Sequence, residues 1–193
     1  MSQNTWTHRL ARRLVRPLVD TAVTPNHLTT LRLLTGLGAV ALFALGSRGG
    51  EVWGGVLFVL SAFLDRADGE LARIGGRTSP GGHIYDLLCD ALVTALLFVG
   101  IGIGLRHGPL GGWAVLLGML AGGAVAFIFW LLARLDDDPF AGAGGFDPDD
   151  LLYLVGPLAW LGWLQPFLLA AGAGAPAFAA WAAWRHRPRR KVR

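Results

Sequence analysis

The chain has 193 residues, of which 53% are hydrophobic and only 16% are charged. Soluble domains carry about a quarter charged residues, so this composition excludes an ordinary soluble domain and indicates a membrane protein. The net charge is +4, and the basic residues concentrate at the two ends of the chain beside apolar stretches, which favours membrane topology and lipid headgroups over nucleic-acid binding.

The first predicted element is an amphipathic helix over residues 6–19. Leu10, Leu14 and Leu18 follow Trp6 at helical spacing, whereas four arginines lie mostly on other faces: Arg9, Arg12, Arg13 and Arg16. Such a helix would lie in the interface of an anionic leaflet, and a frayed basic tail is the alternative. We predict that residues 1–23 form this N-terminal interfacial helix.

Six transmembrane helices are predicted within residues 24–184. Thr24 and Pro25 suit the start of the first. Gly-Gly and Ser-Pro pairs at 75–82 predict a turn that makes the second and third helices antiparallel neighbours. The last apolar stretch, 151–184, is too long for one ordinary span and is divided at Gln165-Pro166, with a single kinked helix as the alternative. The predicted spans are 28–45, 52–73, 83–105, 110–135, 151–164 and 166–184.

The positions of arginine and lysine predict the orientation of these spans. With six spans and both termini in the cytoplasm, only Arg48 and Arg106 fall on the outer side. Five spans would place the C-terminal basic cluster outside. We therefore predict an all-α protein of the plasma (inner) membrane, with a basic cytoplasmic tail at 185–193.

Four aspartates lie at the facing ends of predicted helices two and three. Asp65 and Asp68 are three residues apart and Asp86 and Asp90 four apart, so each pair shares one helix face. Four carboxylates brought together repel one another unless cations lie between them, and too few arginines are nearby to neutralise all four. Carboxylate oxygens suit hard cations such as Mg²⁺ or Mn²⁺. The spacing predicts a divalent-metal site on the cytoplasmic side, rather than four separate helix caps.

The stretch from Asp65 to Asp90 matches D-x-x-D-G-x-x-A-R-x(8)-G-x(3)-D-x(3)-D at every defined position. This pattern resembles the signature of the CDP-alcohol phosphotransferases (CDP-alcohol phosphatidyltransferases). The resemblance implies a metal-dependent transferase of phospholipid biosynthesis, which moves a phosphoalcohol group from a CDP-alcohol to an acceptor hydroxyl and releases CMP. It further implies two Mg²⁺ or Mn²⁺ ions and a homodimer.

The same resemblance assigns roles to individual residues. Asp65, Asp68 and Asp86 would ligate the metals, and Asp90 would complete the second metal site and act as general base. The residues implied to line the CDP site are Gly69, Ala72, Arg73 and Gly82. The start of the first helix is similar to the family's P-N-x-[LI]-T entry, which suggests nucleotide or phosphate contacts for Asn26, Thr29 and Arg32; helix capping explains Asn26 and Thr29 equally well.

The acceptor alcohol is the least determined partner. A phosphorylated acceptor would need basic side chains, for which the inner-side candidates are Arg66, Arg77 and Arg134. A polyol or amine could instead contact the acidic segment before the fifth helix, although helix capping is the simplest explanation of its acids, Asp147, Asp149 and Asp150. We expect Glu70 to form a solvent-facing salt bridge, for example with Arg73, and a metal or acceptor contact is the alternative.

Two kinds of donor and two competing function classes, a non-enzymatic ion carrier and a purely structural membrane scaffold, stay open. CDP-diacylglycerol with a polar acceptor is the leading pairing, and a soluble CDP-alcohol with a lipid acceptor is the alternative, because the motif covers only what both donors share. A non-enzymatic ion carrier would have acids along the middle of the membrane. Here the acids cluster at one face, which favours the enzyme.

Overall fold

The computed structural model describes residues 6–134 and 152–185. No strand occurs among these residues, which confirms the predicted all-α class. The helices are α1 (Trp6–Val15), α2 (Pro25–Ala44), α3 (Arg48–Ile74), α4 (Pro80–Gly104), α5 (Gly112–Leu132), α6 (Val155–Trp160) and α7 (Leu164–Arg185), with 3-10 turns at Arg16–Leu18 and Leu105–His107.

Four helices within the described residues are long and apolar enough to cross a membrane: α2, α4 with its 3-10 extension, α5 and α7. They indicate an integral membrane protein. α3 has 27 residues but carries charged side chains in its last turns. α6 has six residues, a length of about 9 Å, because Gly162 turns the chain at a φ of 73° before the predicted end of this helix. The count of six spans stays a prediction.

α3 and α4 begin earlier than the predicted spans. α3 begins at Arg48 rather than at residue 52, because the Ser47 hydroxyl accepts a hydrogen bond from the Gly50 amide at 3.1 Å. α4 begins at Pro80 rather than at residue 83, because Ser79 accepts one from the Gly82 amide at 3.0 Å. A serine N-cap supplies about 1 kcal/mol, which offsets the low helix propensity of the glycines in each first turn.

α2 lies at the centre of the helix packing, and the later helices follow in a row. α3 and α4 both pack against α2, α5 packs against α4, and α7 packs against α5. The shared core includes Phe43 of α2, Phe58 of α3, Leu97 and Ile101 of α4, and Leu168 of α7. This arrangement brings the cytoplasmic-side ends predicted for α3 and α4 beside the start of α2.

α1 lies against the last turns of α3. Its Val15 packs with Ala67 and Leu71 in a small separate cluster. Leu10 and Leu14 are exposed, and Leu10 lines a groove with Val56 and Leu60 of α3. A helix with one protein-facing side and exposed leucines is compatible with the predicted interfacial position, which stays a prediction.

Gly118 of α5 provides a test of the α4–α5 contact. A Cβ atom at Gly118 would lie 2.4 Å from the Phe98 carbonyl oxygen of α4. Because backbone cannot move aside as a side chain can, we expect Gly118→Ala to lower the free energy of unfolding by about 1–3 kcal/mol. Thermal unfolding of the detergent-solubilised protein measures this loss.

Gly123 is the matched control in the same helix, because a Cβ atom there meets no atom within 4 Å. Gly123→Ala should be neutral or stabilise by up to about 1 kcal/mol, since alanine is the better helix former. Equal melting temperatures for Gly118→Ala and the wild type would contradict the close α4–α5 contact.

Candidate functional site

The four aspartates converge at the junction of α2, α3 and α4, and Arg32 of α2 lies at their centre. The Arg32 Nη1 donates to Asp65 at 2.6 Å and to Asp86 at 2.6 Å, and its Nη2 donates to Asp90. The Arg32 side chain is only 2% exposed. One guanidinium therefore connects three carboxylates from two helices.

Asp68, the fourth carboxylate, is held separately. The Thr29 hydroxyl of α2 donates to Asp68 at 2.7 Å. Asp68 is buried, whereas Asp65, Asp86 and Asp90 are each partly exposed. The two sequence-predicted pairs thus converge. The prediction that their helices are direct neighbours is wrong, because α3 and α4 both pack against α2, which lies between them.

The donor set fits a hard divalent cation. Asp65, Asp68 and Asp86 each offer a carboxylate oxygen, and these three oxygens lie within 4.8 Å of one another. Arg32 alone contacts three of the four carboxylates, so negative charge remains in excess within the cluster. Oxygen ligands with excess negative charge are what Mg²⁺ and Mn²⁺ prefer.

The residues expected to line a nucleotide site surround the same junction. A Cβ atom at Gly82 of α4 would lie 3.4 Å from the Asn26 side-chain oxygen of α2, so these two first turns approach closely. A Cβ atom at Gly69 of α3 would lie 3.7 Å from the Arg73 Nη2. Gly69, Ala72 and Gly82 are partly buried, and Arg73 reaches the surface. Their nucleotide contacts stay a prediction.

Glu70 does not form the solvent-facing salt bridge expected from the sequence. Its predicted partner Arg73 does donate to it, at 2.8 Å, but the Glu70 side chain is 0% exposed. α1 covers it: His8 contacts Glu70 at 2.9 Å and the Arg12 Nε donates at 2.9 Å. The hydrogen bond to the Glu70 carboxylate raises the pKa of Arg12.

The candidates for acceptor binding occupy different places. Arg66 is buried, contacts the His8 ring at 3.0 Å and lines a small cavity beside Asp65 and Asp90. Arg77 donates to the Val23 carbonyl at 2.9 Å and so connects the α3–α4 loop to the α1–α2 loop. Arg134 lies over the Trp130 ring at 4.0 Å. Asp147, Asp149 and Asp150 lie outside the described residues, and acceptor binding by all six stays a prediction.

The cavity beside Asp65 and Asp90 brings in residues that the sequence pattern did not single out. Thr94 of α4 and Tyr153, which precedes α6, line it together with Phe129 of α5. The Tyr153 hydroxyl donates to the Ala62 carbonyl of α3 at 2.9 Å. No sequence signal marks these residues, because they belong to elements that meet only in the folded chain.

The sequence did contain signals for two other contacts, that of Arg32 with the aspartates and that of His8 and Arg12 with Glu70. Arg32 is the one charged residue in α2, and an arginine within an apolar span generally has a carboxylate partner. Its expected partner was the nucleotide, and the structure places it on the aspartates. His8 and Arg12 are four residues apart on one face of α1, which is the spacing that allows both to reach a single carboxylate.

Comparison with known proteins identifies the family. The family profile described as CDP-alcohol phosphatidyltransferase matches residues 22–184. An archaetidylinositol phosphate synthase of Pyrococcus horikoshii is 35% identical over 92 residues, which are 48% of this chain and 47% of that protein. A phosphatidylinositol phosphate synthase of Mycobacteroides abscessus is 29% identical over 93 residues, 48% of this chain and 41% of that protein. The matches thus span at most about half the length of these curated relatives.

A solved structure shares the fold. The phosphatidylinositol phosphate synthase of Mycobacterium tuberculosis, in a crystal structure with CDP-DAG bound, superposes with a TM-score of 0.63 at 23% identity and covers 93% of this chain and 94% of that one. The profile match extends from three residues before α2 to the last turn of α7 and includes all four converging aspartates. The resemblance expected from the motif is confirmed, and the chain belongs to the CDP-alcohol phosphatidyltransferase family.

Proposed function

We propose that this protein transfers a phosphatidyl group from CDP-diacylglycerol to the hydroxyl of a polar alcohol and releases CMP. The observation that carries the proposal is the convergence of Asp65, Asp68, Asp86 and Asp90 from two helices on one point around Arg32. Family membership supports the reaction class. In this reaction the bond between the phosphatidyl phosphorus and the oxygen of CMP breaks, and a bond between the acceptor oxygen and the same phosphorus forms. The acceptor hydroxyl loses its proton.

The four aspartates have two roles in this proposal, metal binding and proton transfer. Asp65, Asp68 and Asp86 are the metal ligands, with Asp90 completing the set. Two Mg²⁺ or Mn²⁺ ions held by these carboxylates would supply the positive charge that neutralises the pyrophosphate and stabilises the leaving oxygen. Asp90 accepts the acceptor proton, since it lines the cavity beside the cluster.

The nucleotide half of the donor lies, in this proposal, at the first turns of α2 and α4 and the last turn of α3. The residues that would contact it are Asn26, Thr29, Gly69, Ala72, Arg73 and Gly82. Gly69 and Gly82 leave room for close approach to the backbone, and the forked Arg73 guanidinium suits a phosphate. The CDP-DAG bound to the similar Mycobacterium tuberculosis structure supports a lipid-linked donor.

The acceptor we propose is a phosphorylated polyol. The Pyrococcus horikoshii and Mycobacteroides abscessus relatives are both named as synthases of an inositol phosphate lipid, which favours an inositol phosphate among such alcohols. Of the basic candidates, Arg66 is the one that lines the cavity shared with Asp65 and Asp90. Its buried guanidinium would balance the charge of an acceptor phosphate.

We further propose the membrane arrangement that the basic residues predict. Residues 1–23 form an interfacial segment, 24–184 a six-span catalytic domain, and 185–193 a cytoplasmic tail of a plasma-membrane protein that assembles as a homodimer. The site then faces the cytoplasm, where a nucleotide-linked lipid and a soluble acceptor meet. Exposed leucines on α1 support the interfacial segment.

The test is CMP release by the purified full-length protein. With CDP-diacylglycerol and Mg²⁺ or Mn²⁺, we expect release only when an acceptor is present, and fastest with inositol phosphate in a panel that includes glycerol phosphate and serine. Chelation by EDTA should abolish release, and excess Mg²⁺ or Mn²⁺ should restore it, because the four carboxylates need cations to bind a pyrophosphate.

Two results would redirect the proposal. CMP release from a soluble CDP-alcohol with a lipid acceptor, and none from CDP-diacylglycerol, would reverse the donor assignment. No release from any CDP-alcohol, together with ion flux in proteoliposomes, would favour an ion carrier. Release that persists unchanged in EDTA would contradict the metal site itself.

A further inference from the structure

The contact between α1 and α3 is built around a single buried carboxylate that the proposed reaction does not use. Glu70 is 0% exposed, and its two oxygens receive three partners from two helices far apart in sequence. Oε1 contacts His8 at 2.9 Å and Arg73 at 2.8 Å, and Oε2 contacts Arg12 at 2.9 Å. Burying a carboxylate this deeply is costly unless each oxygen is hydrogen-bonded, so the arrangement is specific.

Arg73 belongs both to this network and to the proposed nucleotide site. It lies one helical turn after Glu70 and contacts Glu70 and the His8 ring, both through Nη2 rather than through Nη1 or Nε. Its side chain is partly exposed next to Gly69. A guanidinium held through one nitrogen by a buried carboxylate is fixed in its rotamer and can present its other edge to a phosphate.

The charge of the network also suits an anionic neighbour. Two arginines, Arg12 and Arg73, share the one carboxylate of Glu70, so the group carries positive charge in excess. Both arginine side chains are partly exposed, so an anion can reach this excess positive charge from solvent. α1 contributes Arg12 and His8 to this group, so the N-terminal helix contacts Arg73, a residue of the proposed nucleotide site.

We propose that Glu70 is a positioning residue, which, held by His8 and Arg12 of α1, orients Arg73 for the pyrophosphate of the CDP-alcohol donor. This inference rests on the proposed function, in which Arg73 contacts the donor. It assigns α1 to the nucleotide-binding unit. Loss of the network should weaken donor binding and leave the chemical step and acceptor binding largely unchanged.

The experiment compares three variants of the full-length protein: Glu70→Gln, Arg12→Gln and the double variant. Glu70→Gln should raise the KM for CDP-diacylglycerol and the Kd for CDP with Mg²⁺ by about tenfold, the value of one charge-assisted hydrogen bond, with kcat and the acceptor KM nearly unchanged. Arg12→Gln should raise both constants less. The double variant should match Glu70→Gln, because both changes remove the same interaction.

Glu51→Gln is the matched control. Glu51 lies in the first turn of α3 and pairs with Arg48 at 3.0 Å, also at a three-residue spacing, but far from the aspartates. It should leave the KM and Kd at wild-type values. Arg12 has a 47% exposed side chain, so Arg12→Gln keeps the test valid if Glu70→Gln does not fold.

The outcomes separate this inference from the proposed function. A folded Glu70→Gln protein with wild-type KM and Kd would overturn the positioning role, and so would a lower kcat at unchanged KM, which is the result of a purely structural defect. Failure of the wild type to release CMP would overturn the proposed function. The CDP affinities would then still decide the inference, since absence of CDP binding by the wild type would overturn it too.

Discussion

Asp90→Asn should lower kcat by about 10²- to 10⁴-fold, the usual contribution of a general base. Asparagine has the shape of aspartate and can still accept a hydrogen bond from Arg32, but it cannot take up the acceptor proton. The change therefore removes the proposed chemical role with little effect on packing. Steady-state CMP release from CDP-diacylglycerol, measured over a range of acceptor concentrations, gives kcat directly.

The metal dependence of this variant separates two roles of Asp90. If the loss came only from weaker metal binding, raising the Mg²⁺ or Mn²⁺ concentration would restore turnover; loss of a base is not restored. Asp20→Asn is the control, because Asp20 is exposed between α1 and α2 and outside the cluster. Full turnover by Asp90→Asn would show that another group accepts the proton.

Arg32→Gln should lower the melting temperature in EDTA by on the order of 10 °C, because removing one partner from a buried charge network costs about 3–5 kcal/mol. Without the guanidinium, Asp65, Asp86 and Asp90 face one another with no cation from α2 between them. Thermal unfolding in detergent, with and without divalent cations, measures the effect.

Added Mg²⁺ or Mn²⁺ should raise the melting temperature of Arg32→Gln more than that of the wild type, since the cations then supply the missing positive charge. Arg32→Lys should be intermediate: it keeps the charge, but one ammonium cannot reproduce the two nitrogens that contact three carboxylates. Arg32→Gln melting at the wild-type temperature in EDTA would mean that Arg32 does not hold the cluster together.

Local sequence patterns located most of the helices and the central four carboxylates. The spacing of Asp65, Asp68, Asp86 and Asp90 was sufficient to predict that two pairs converge, because helical periodicity and one short turn bring the ends of α3 and α4 together. It did not predict that α2 lies between these two helices. Helix starts were less accurate at α3 and α4. At these positions Ser47 and Ser79 cap the helices, so that the glycines after each serine belong to the first helical turn and not to a preceding loop.

Tertiary packing alone decided what these groups contact. Arg32 is a lone charge within α2, whereas Glu70, His8 and Arg12 lie among other charged residues of their helices. In neither case does a local rule select a partner some thirty to sixty residues away. The placement of α1 on α3 buries Glu70, and the placement of α2 between α3 and α4 inserts Arg32 among the aspartates.

The sequence by itself therefore determined the helical class, the membrane setting, the family and the carboxylate set, since each depends on composition or on short spacings. The tertiary structure decided that Glu70 is buried rather than solvent-facing and that Arg32 binds the aspartates. It also decided that Arg66, alone among the basic candidates, adjoins both Asp65 and Asp90 in one cavity. These are long-range contacts, which depend on how helices pack and not on the pattern within any one of them.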